Sequence, residues 1–383
     1  MNTNLSKASN RIVHLIVGLG DGGAEGILYK LIASDKTNKH IVVSLTSFGK
    51  YGKYFTEINI PVYALGFKKF SLNIIKIFRL LKIIKKCKPK ILQSWMYHAD
   101  LLSFLIKITN PGIKIIWNIR NTTYRFADSI SRFIISRLCS ILSYLVPDII
   151  ISCGIEPMNQ HISIGYDKKK MKVIYNGVDV NRFKMQTSIG KFKSLDFPAL
   201  TNENRPLLGM VARYDKQKGH SVLLKSLYLL KSKGTDFCCV LVGLNIDYNN
   251  KDLVSMIDHY GLSSNIFLLG QRTDLEIIYN FLDIFVLSSI NGEGFPNVLI
   301  EAMACGIPCV ATDVGESRFI IEKTGWVVSP ADPKILSESL ENAISEIKLP
   351  SWSERKSKCN NHIIKNYSLE NMHNNFLKVW AIY

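Results

Sequence analysis

Short runs of aliphatic and β-branched residues alternate with longer amphipathic stretches along the whole chain. This alternation is typical of parallel strands joined by crossover helices, and it predicts an α/β fold. The strands predicted in the first half are Ile12–Val17, Ile41–Leu45, Val62–Leu65, Ile91–Ser94, Ile113–Trp117, Ile149–Ser152 and Lys172–Ile174. Those predicted in the second half are Leu207–Ala212, Phe237–Val242, Ile266–Leu269, Ile284–Ser288, Pro308–Thr312 and Trp326–Ser329.

The stretches between these strands repeat apolar residues at helical spacing. The helices predicted from this spacing are Gly23–Ala33, Leu72–Lys86, Ala99–Ile108, Ser129–Leu145, Glu156–Ser163, Gly219–Lys231, Lys251–Tyr260, Leu275–Leu282, Asn297–Cys305 and Pro333–Ile347. No apolar run reaches the ~18 residues of a membrane-spanning helix, and glycines follow the first apolar run where a signal peptide would have its cleavage site. We therefore expect neither a membrane span nor a signal peptide.

The polar, irregular stretch 175–204 separates two alternating series and indicates a connection between two domains. Parallel sheets bind ligands at the carboxyl ends of their strands, so we expect two Rossmann-like domains that face each other across a cleft. The predicted parts are an N-terminal domain at residues 1–178, a linker region at 179–204, a C-terminal domain at 205–360 and a C-terminal helix at 361–383. The apolar, aromatic end of that helix predicts packing on the N-terminal domain.

The net charge of +17 is concentrated in the first half of the chain. Residues 1–180 contain 26 Lys and Arg against 10 Asp and Glu, and the remaining residues contain 22 against 21. A basic half attracts polyanions or anionic lipid head groups. No zinc finger or aromatic RNA-binding motif is present, so we favour an anionic membrane surface or a pyrophosphate-bearing lipid over nucleic acid.

The predicted helix Leu72–Lys86 has two different faces on a helical wheel. Its apolar side contains Ile74, Ile77, Leu80, Leu81 and Ile84, and its basic side contains Lys76, Arg79, Lys82 and Lys86. Two interpretations stay open for the basic side. It is either the solvated face of an ordinary flanking helix or a surface that lies against anionic lipid.

The eight cysteines do not suggest a disulfide framework or a metal site, because they fall in apolar runs and form no paired C-x-x-C units. Buried thiols in a reducing cytoplasm fit this pattern. We therefore expect a cytoplasmic protein without a bound metal.

The segment 288–313, SSINGEGFPNVLIEAMACGIPCVATD, carries the most specific chemistry. A buried strand is followed by a glycine-bearing turn, by Asn297 as a predicted helix cap and by a helix that ends at Gly306. Free amides at the helix start and the helix dipole form a site for a diphosphate. Glu293 and Glu301 flank this anion site, which predicts that their carboxylates accept hydrogen bonds from neutral hydroxyls of a sugar or ribose.

This segment resembles the E-x7-E signature of the family 4 retaining glycosyltransferases of GT-B fold. The resemblance implies that Glu293 contacts the donor sugar, that Glu301 holds the nucleotide ribose, and that the backbone of Gly294, Phe295 and Asn297 lines the sugar and phosphates. It also implies a front-face reaction in which the departing phosphate helps to deprotonate the acceptor.

The segment 209–220, GMVARYDKQKGH, supplies two cations after a strand. Arg213 and Lys218 can neutralise a leaving diphosphate in place of a metal ion, whereas Lys216 is the more solvated candidate. The segment also resembles the strand, loop and helix that carry Arg and Lys in the same family. We therefore expect a metal-independent enzyme without a cofactor.

The glycine-rich loop after the first strand has two interpretations. Gly18, Gly20 and Gly23 satisfy the G-x-G-x-x-G spacing of dinucleotide-binding proteins, but residues 41–47 lack the acidic residue that an NAD-dependent oxidoreductase requires. The loop also resembles the first loop of the glycosyltransferase family, which approaches the donor phosphates. This second interpretation makes Gly22 and Gly23 the candidates for close backbone approach.

Three further residues follow predicted strands, and two of them, His98 and Arg272, resemble family positions. His98, at a helix start, matches the family's histidine beside the reacting sugar, and Arg120 is a candidate contact for the acceptor or a phosphate. Arg272 follows a strand at the place where relatives hold the nucleotide base. The segment 174–179 resembles the family hinge between the two domains.

The resemblance implies a retaining transferase that moves a hexose or N-acetylhexosamine from a nucleotide sugar, with a UDP-sugar favoured. The basic first half favours a lipid-linked glycan acceptor at the inner face of a bacterial membrane, in surface-polysaccharide biosynthesis such as O-antigen, capsule or lipopolysaccharide. Two alternatives stay open: a sugar-nucleotide epimerase of GT-B fold and a non-catalytic protein that binds sugar nucleotides.

Overall fold

The computed structural model describes residues 10–68, 73–122, 130–186 and 205–382. The chain divides into two compact units: unit 1 contains Met1–Gly177 and Leu369–Tyr383, and unit 2 contains Val178–Ser368. The starts of the predicted helices Leu72–Lys86 and Ser129–Leu145, most of the predicted linker and Tyr383 lie outside the described residues.

Unit 1 alternates strands with helices, as its hydrophobic pattern predicts. Its strands are β1 (Arg11–Ile16), β2 (Lys39–Ser44), β3 (Val62–Ala64), β4 (Ile91–Trp95), β5 (Lys114–Ile119), β6 (Ile149–Ser152) and β7 (Met171–Val173). Its helices before residue 177 are α1 (Gly23–Ser34), α2 (Gly49–Glu57), α3 (Ile74–Cys87), α4 (Tyr97–Thr109), α5 (Ile130–Leu142) and α6 (Ile155–Ser163). Helix α2 was not predicted, because Gly49 and Gly52 weaken its helical signal.

The seven strands of unit 1 form one parallel sheet in the order β3-β2-β1-β4-β5-β6-β7. Ile16 at the end of β1 is in register with Ser44 of β2 and Trp95 of β4, so the carboxyl ends of these strands share one edge. One apolar core lies between the sheet and α3, α4 and α5, and includes Leu80 and Ile106. A second core lies on the opposite face, beneath α1 and α2.

The last part of the chain contains two helices, α13 (Ser351–Tyr367) and α14 (Leu369–Trp380), where one helix was predicted at 361–383. Ser368 between them has ψ 151°, an extended conformation that ends α13. Only α14 belongs to unit 1, where Phe376 and Trp380 complete the core beneath α1. The prediction that the chain end packs on the N-terminal domain therefore applies to α14.

A chain of buried polar side chains crosses the core of unit 1. Trp95 Nε1 donates to His14 Nδ1 at 3.3 Å, His14 Nε2 lies 2.9 Å from His40 Nδ1, and His40 Nε2 lies 3.0 Å from Asp35 Oδ2. Because the Trp95 indole is a donor, His14 Nδ1 accepts and His14 Nε2 is left to donate to His40 Nδ1. Burial is the largest cause that lowers the pKa of His14 well below its usual range.

Unit 2 repeats the architecture with six strands. They are β8 (Leu207–Val211), β9 (Cys238–Val242), β10 (Ile266–Leu268), β11 (Ile284–Leu287), β12 (Cys309–Thr312) and β13 (Trp326–Val328). The helices are α7 (His220–Ser232), α8 (Lys251–His259), α9 (Leu275–Phe281), α10 (Asn297–Ala304), α11 (Ser317–Ile321), α12 (Pro333–Glu346) and α13. The short helix α11 was not predicted.

The sheet of unit 2 is parallel in the order β10-β9-β8-β11-β12-β13, the strand order of a doubly wound nucleotide-binding fold. Leu208 of β8 is in register with Cys239 of β9 and Ile284 of β11, and all three side chains are fully buried. In the part of the chain that the structure describes, no helix combines the length and apolar content needed to cross a membrane.

Candidate active site

The sheet of unit 2 reverses its direction of growth between β8 and β11. At such a switch point the loops after the two strands diverge and leave a crevice at the carboxyl edge, where α/β proteins bind ligands. Arg213 and Lys218 follow β8, whereas Glu293 and Glu301 follow β11. The four charged residues predicted from the sequence therefore belong to the two segments that border this crevice.

Hydrogen bonds and one glycine hold the loop after β8 against the loop after β11. The Ile290 amide donates to the Gln217 carbonyl at 2.7 Å, and the Ser288 hydroxyl donates to the Lys218 carbonyl at 3.0 Å. Gly219 adopts φ 69°, and a Cβ atom there would clash with the Ser288 carbonyl oxygen. Only glycine combines this left-handed conformation with so close an approach. The backbone of Lys218 is thus fixed beside the end of β11.

The side chains of Lys218 and Ser289 both contact one carboxylate oxygen of Glu293. Lys218 Nζ lies 2.5 Å from Glu293 Oε1, and the Ser289 hydroxyl donates to the same oxygen at 2.7 Å. Glu293 is only 8% exposed, and a carboxylate at this depth needs a cation or donors to offset its lost hydration. Glu293 Oε2 has no hydrogen-bond partner in the described part of the chain. Oε1 is therefore fixed, whereas Oε2 remains able to accept a hydrogen bond from a ligand hydroxyl.

The start of α10 differs from the prediction in one respect. Pro296 occupies the cap position, with φ −75° and ψ 94°, and Asn297 is the first helical residue, so the prediction that Asn297 caps the helix is wrong. Proline fits this position because its fixed φ suits a helix start and its missing N–H removes one unsatisfied donor. The Leu299 amide donates to the Pro296 carbonyl at 3.1 Å, the amides of Asn297 and Val298 precede this first hydrogen bond of the helix, and the helix dipole adds positive potential there. Gly294 and Phe295 lie in the turn just before this helix start, where the sequence predicts a diphosphate site.

Glu301 lies one turn into α10 and is supported from the protein interior. The hydroxyl of Tyr279, in α9, donates to Glu301 Oε2 at 3.4 Å. Tyr279 is fully buried, and burial followed by the charge of Glu301 raises its pKa well above 10. Tyr279 therefore keeps its proton and remains a donor to the carboxylate.

The two predicted arginines of unit 2 each pair with a nearby aspartate. Arg213 Nη2 lies 3.0 Å from Asp215 Oδ2, and the Arg213 side chain is 54% exposed. Burial acts to raise the pKa of Asp215, but the Gln217 amide and the Arg213 guanidinium lower it overall. Arg272 Nη2 lies 2.6 Å from Asp274 Oδ2. Both guanidinium groups are thus oriented by a carboxylate at the carboxyl edge of the sheet.

Unit 1 has a second switch point, between β1 and β4, and the glycine-rich loop after β1 borders it. Gly22 is the cap residue of α1 with φ −115°, and Gly23 is the first helical residue. A Cβ atom on Gly22 would clash with the Glu25 carboxylate. Glycine at position 22 therefore makes room for that side chain and does not serve a left-handed turn.

His98 lies at the other side of this switch point, in the first turn of α4. The residue before the helix, Met96, has φ 73° and ψ 156°, a conformation that non-glycine residues rarely adopt and that costs on the order of 1–3 kcal/mol. This sharp turn brings exposed His98 to the carboxyl edge of the sheet. Partial burial, then the charge of Arg132, lowers the pKa of His98, which favours its neutral form.

Arg120 lies inside unit 1 and contacts protein groups. Its Nη1 donates to Asn176 Oδ1 at 2.5 Å, and its guanidinium lies 5.1 Å from the Trp95 ring centre and 5.6 Å from that of Phe376. Burial lowers the pKa of Arg120 to about 10. Arg120 therefore links β5 to helix α14, and its predicted contact with an acceptor stays a prediction.

Sequence reasoning missed the side chains that support the two glutamates. Ser289 stands directly at the end of a predicted strand, and that position was a usable signal. Tyr279 lies 22 residues before Glu301 on a different helix, so only the fold brings the two together. The backbone strain at Met96 has no signature in the sequence.

Two family models match the chain, one in each half. A family model described as "Glycosyltransferase Family 4" matches residues 22–182, and one described as "Glycosyl transferases group 1" matches residues 192–359. The chain belongs to the family 4 glycosyltransferases. The family matches confirm the predicted glycosyltransferase activity. The two parallel sheets and the solved structures below confirm the predicted fold of GT-B type with two Rossmann-like domains.

Two curated relatives cover most of this glycosyltransferase. The capsular polysaccharide biosynthesis glycosyltransferase CapM of Staphylococcus aureus is 25% identical over 79% of this chain and 81% of its own. The N-acetylgalactosamine-N,N'-diacetylbacillosaminyl-diphospho-undecaprenol 4-alpha-N-acetylgalactosaminyltransferase of Campylobacter jejuni is 25% identical over 90% of this chain and 92% of its own. Among solved structures, Anabaena HepE in complex with UDP aligns with a TM-score of 0.84 at 20% identity, covering 97% of this chain and all of that one.

Proposed function

We propose that this glycosyltransferase transfers a hexose or N-acetylhexosamine from a UDP-sugar to a lipid-linked glycan, with retention of the anomeric configuration and without a metal ion. The setting is the assembly of a bacterial surface polysaccharide at the inner face of the membrane. The cluster of Lys218, Ser289 and Glu293 beside the start of α10 carries the proposal. The capsular and diphospho-undecaprenol relatives and the UDP-bound structure support its donor and acceptor classes.

The geometry suits a departing diphosphate. The amides at the start of α10 bind its oxygens, and Lys218 and Arg213 offset the negative charge that grows on it as the sugar leaves. Glu293 Oε2 accepts a hydrogen bond from a sugar hydroxyl, while Oε1 stays fixed by Lys218 and Ser289. Glu301 accepts hydrogen bonds from the ribose. Cationic side chains thus do the work that a divalent ion does in metal-dependent transferases.

A binding assay and a transfer assay test the proposal together. We expect UDP-sugars to raise the thermal midpoint of the purified chain more than GDP-sugars or NADH, because a ligand that binds only the folded state stabilises it. We expect transfer to a diphospho-polyprenol-linked glycan in the presence of a chelator, with the product's anomeric coupling constant matching that of the donor. Stabilisation by NADH alone, or a product of inverted configuration, would contradict the proposal.

Glu301→Ala tests the donor site specifically. We expect it to abolish transfer and to reduce the UDP-induced thermal shift, while the circular dichroism of the fold is unchanged. Glu338→Ala, on the exposed side of α12, is the matched control and should retain wild-type activity.

A further inference from the structure

The outer layer of unit 1 is formed by α3, α4 and α5, which pack side by side on one face of the sheet. The first turns of α3 expose three large apolar side chains: Ile74 is 66% exposed, Ile75 is 74% exposed and Phe78 is 65% exposed. The helical wheel placed Ile74 on the apolar side of this helix, together with Leu80 and Ile84, but only the latter two side chains are buried. Leu80 and Ile84 make the core contacts of α3, which turns its first residues toward solvent.

Helix α5 exposes an apolar stripe along its whole length. Ile130, Ile134, Leu138 and Ile141 are 55%, 49%, 45% and 67% exposed, and their spacing of four, four and three places them on one helix face. Soluble helices normally present polar residues on this side. Ile108 of α4, which packs between the two helices, is also 58% exposed. Exposed apolar side chains on three neighbouring helices mark a candidate interaction site.

The charges around this surface are of one sign. Residues 73–122 and 130–146 contain a single acidic residue, Asp100, and its side chain is completely buried. Arg79, Lys82 and Lys86 on α3 and Arg137 on α5 are exposed. The surface therefore combines apolar side chains with basic ones and exposes no carboxylate from these segments.

We propose that the outer face of α3, α4 and α5, called the α3–α5 face and represented by Ile75, Phe78, Ile108, Ile134 and Ile141, docks on the surface of an anionic lipid bilayer. The inference rests on the proposed function and names its partner. Apolar side chains enter the boundary between head groups and acyl chains, and the surrounding basic residues bind anionic head groups. Charge complementarity favours this occupant, because a membrane with anionic lipids offers the negative surface that these residues lack.

The topology connects this face to the chemistry. Crossover helices of a parallel sheet begin at the carboxyl edge, so the first turns of α3, α4 and α5 lie at the edge that carries His98. Ile75 and Phe78 belong to these first turns, so docking of this part of the α3–α5 face brings the edge close to the lipid surface, where the saccharide of a lipid-linked acceptor emerges. The acceptor would then be collected from the membrane and not from solution.

Vesicle sedimentation of the full chain tests the inference. We expect binding to vesicles of phosphatidylglycerol and phosphatidylcholine, weaker binding at high salt because screening shortens the reach of the basic residues, and little binding to phosphatidylcholine alone. Ile134→Glu combined with Ile141→Glu should lower vesicle affinity by about tenfold or more, because the transfer of two apolar side chains into the interface is lost. The control variant is Leu349→Glu in unit 2, at a residue that is 51% exposed, and it should bind vesicles with wild-type affinity.

Each outcome decides between the inference and its rivals. Wild-type vesicle affinity in the double variant, or no binding of the wild-type chain, would overturn the docking surface. A concentration-dependent dimer that the double variant dissociates, without vesicle binding, would show that a second copy covers this face. The UDP-induced thermal shift, measured on the same samples, separates the two proposals: if it persists while vesicle binding fails, only the docking inference fails.

Discussion

Units 1 and 2 share a parallel, doubly wound topology but place their charged groups differently. In unit 2 the ion pairs Lys218–Glu293 and Arg213–Asp215 stand at the switch point, within reach of a ligand. In unit 1 the corresponding edge carries strained Met96, His98 and the exposed ion pair Asp21–Lys50, and the outer helices expose further basic residues. Similar backbones therefore support two different modes of recognition.

This difference corresponds to the chemistry of the two proposed substrates. A nucleoside diphosphate sugar is small, charged and rich in hydroxyl groups, so a few fixed side chains are enough to recognise it. A glycan carried on a membrane lipid is presented by a surface, and recognition of a surface needs area and overall charge. The predictions below test the two units separately.

The largest effect is expected from Lys218→Met. Methionine keeps an unbranched side chain one atom shorter but removes the cation, so kcat/KM should fall by about 10²–10³-fold through loss of stabilisation of the leaving diphosphate. Lys216→Met, at an exposed residue two positions earlier, should stay within about twofold of wild type. Steady-state kinetics at saturating acceptor measure both. Equal activity of the two variants would break the comparison, because the transfer chemistry would not then depend on unit 2.

Gly219→Ala tests how rigid the unit 2 site is. The substitution combines an unfavourable φ of 69° with a clash against the Ser288 carbonyl oxygen, so the free energy of unfolding should fall by about 4 kcal/mol. Gly234→Ala has a similar φ of 85° but meets no atom within 4 Å, and should cost only about 1 kcal/mol. Urea denaturation of the two variants measures the difference. Equal losses would mean that the contact between the two loops is not tight.

Asp100→Asn sharpens the description of unit 1. Burial raises the pKa of Asp100 to about 7, from 3.8, although the Ser94 hydroxyl donates to its Oδ1 at 2.6 Å. A raised pKa means that the folded state holds the proton more tightly, so this contribution to stability is present at low pH and is lost as the pH rises from about 4 to 7. The Asn variant has no such loss. Its free energy of unfolding, relative to that of wild type, should therefore rise by about 3 kcal/mol between pH 4 and pH 7.

Urea denaturation at a series of pH values measures this prediction. The control is the acidic part of the same curve of unfolding free energy against pH. Burial lowers the pKa of His161 to about 4, so its contribution to stability is present at neutral pH and is lost as the pH falls from about 6.5 to 4. Both wild type and the Asn variant should keep this part of the curve. A constant difference between the two proteins at every pH would contradict the assignment of a buried, protonated Asp100.

The smallest effect is expected from Ser289→Ala. The hydroxyl positions Glu293 and touches no substrate in the proposed mechanism, so its loss should lower kcat/KM by about tenfold, mainly through kcat. The UDP-induced thermal shift should be unchanged, because Glu301 still holds the ribose. A loss of UDP binding together with activity would instead indicate that Ser289 acts on the nucleotide.

The sequence predicted the strands and most helices because burial on both sides of a parallel sheet produces continuous apolar runs. The placement of Glu293, Glu301, Arg213 and Lys218 after β8 and β11 was also predictable, since each follows a predicted strand; their roles stay predictions. The position of Arg120 was not, because its partners Trp95 and Phe376 come from distant parts of the chain. The exposure of Ile74 was not predictable either, because the helical wheel does not show which turns of a helix leave the core.

Helix α14 has a consequence for how the protein chain itself folds as it is synthesised. Unit 2 is continuous in sequence, whereas unit 1 begins the chain and receives Phe376 and Trp380 only at its end. Unit 1 therefore cannot complete its core until α14 has been synthesised. A fragment that ends at Gly177 would lack this helix and expose the apolar groove it covers, so dissection of the enzyme must keep the two ends of the chain together.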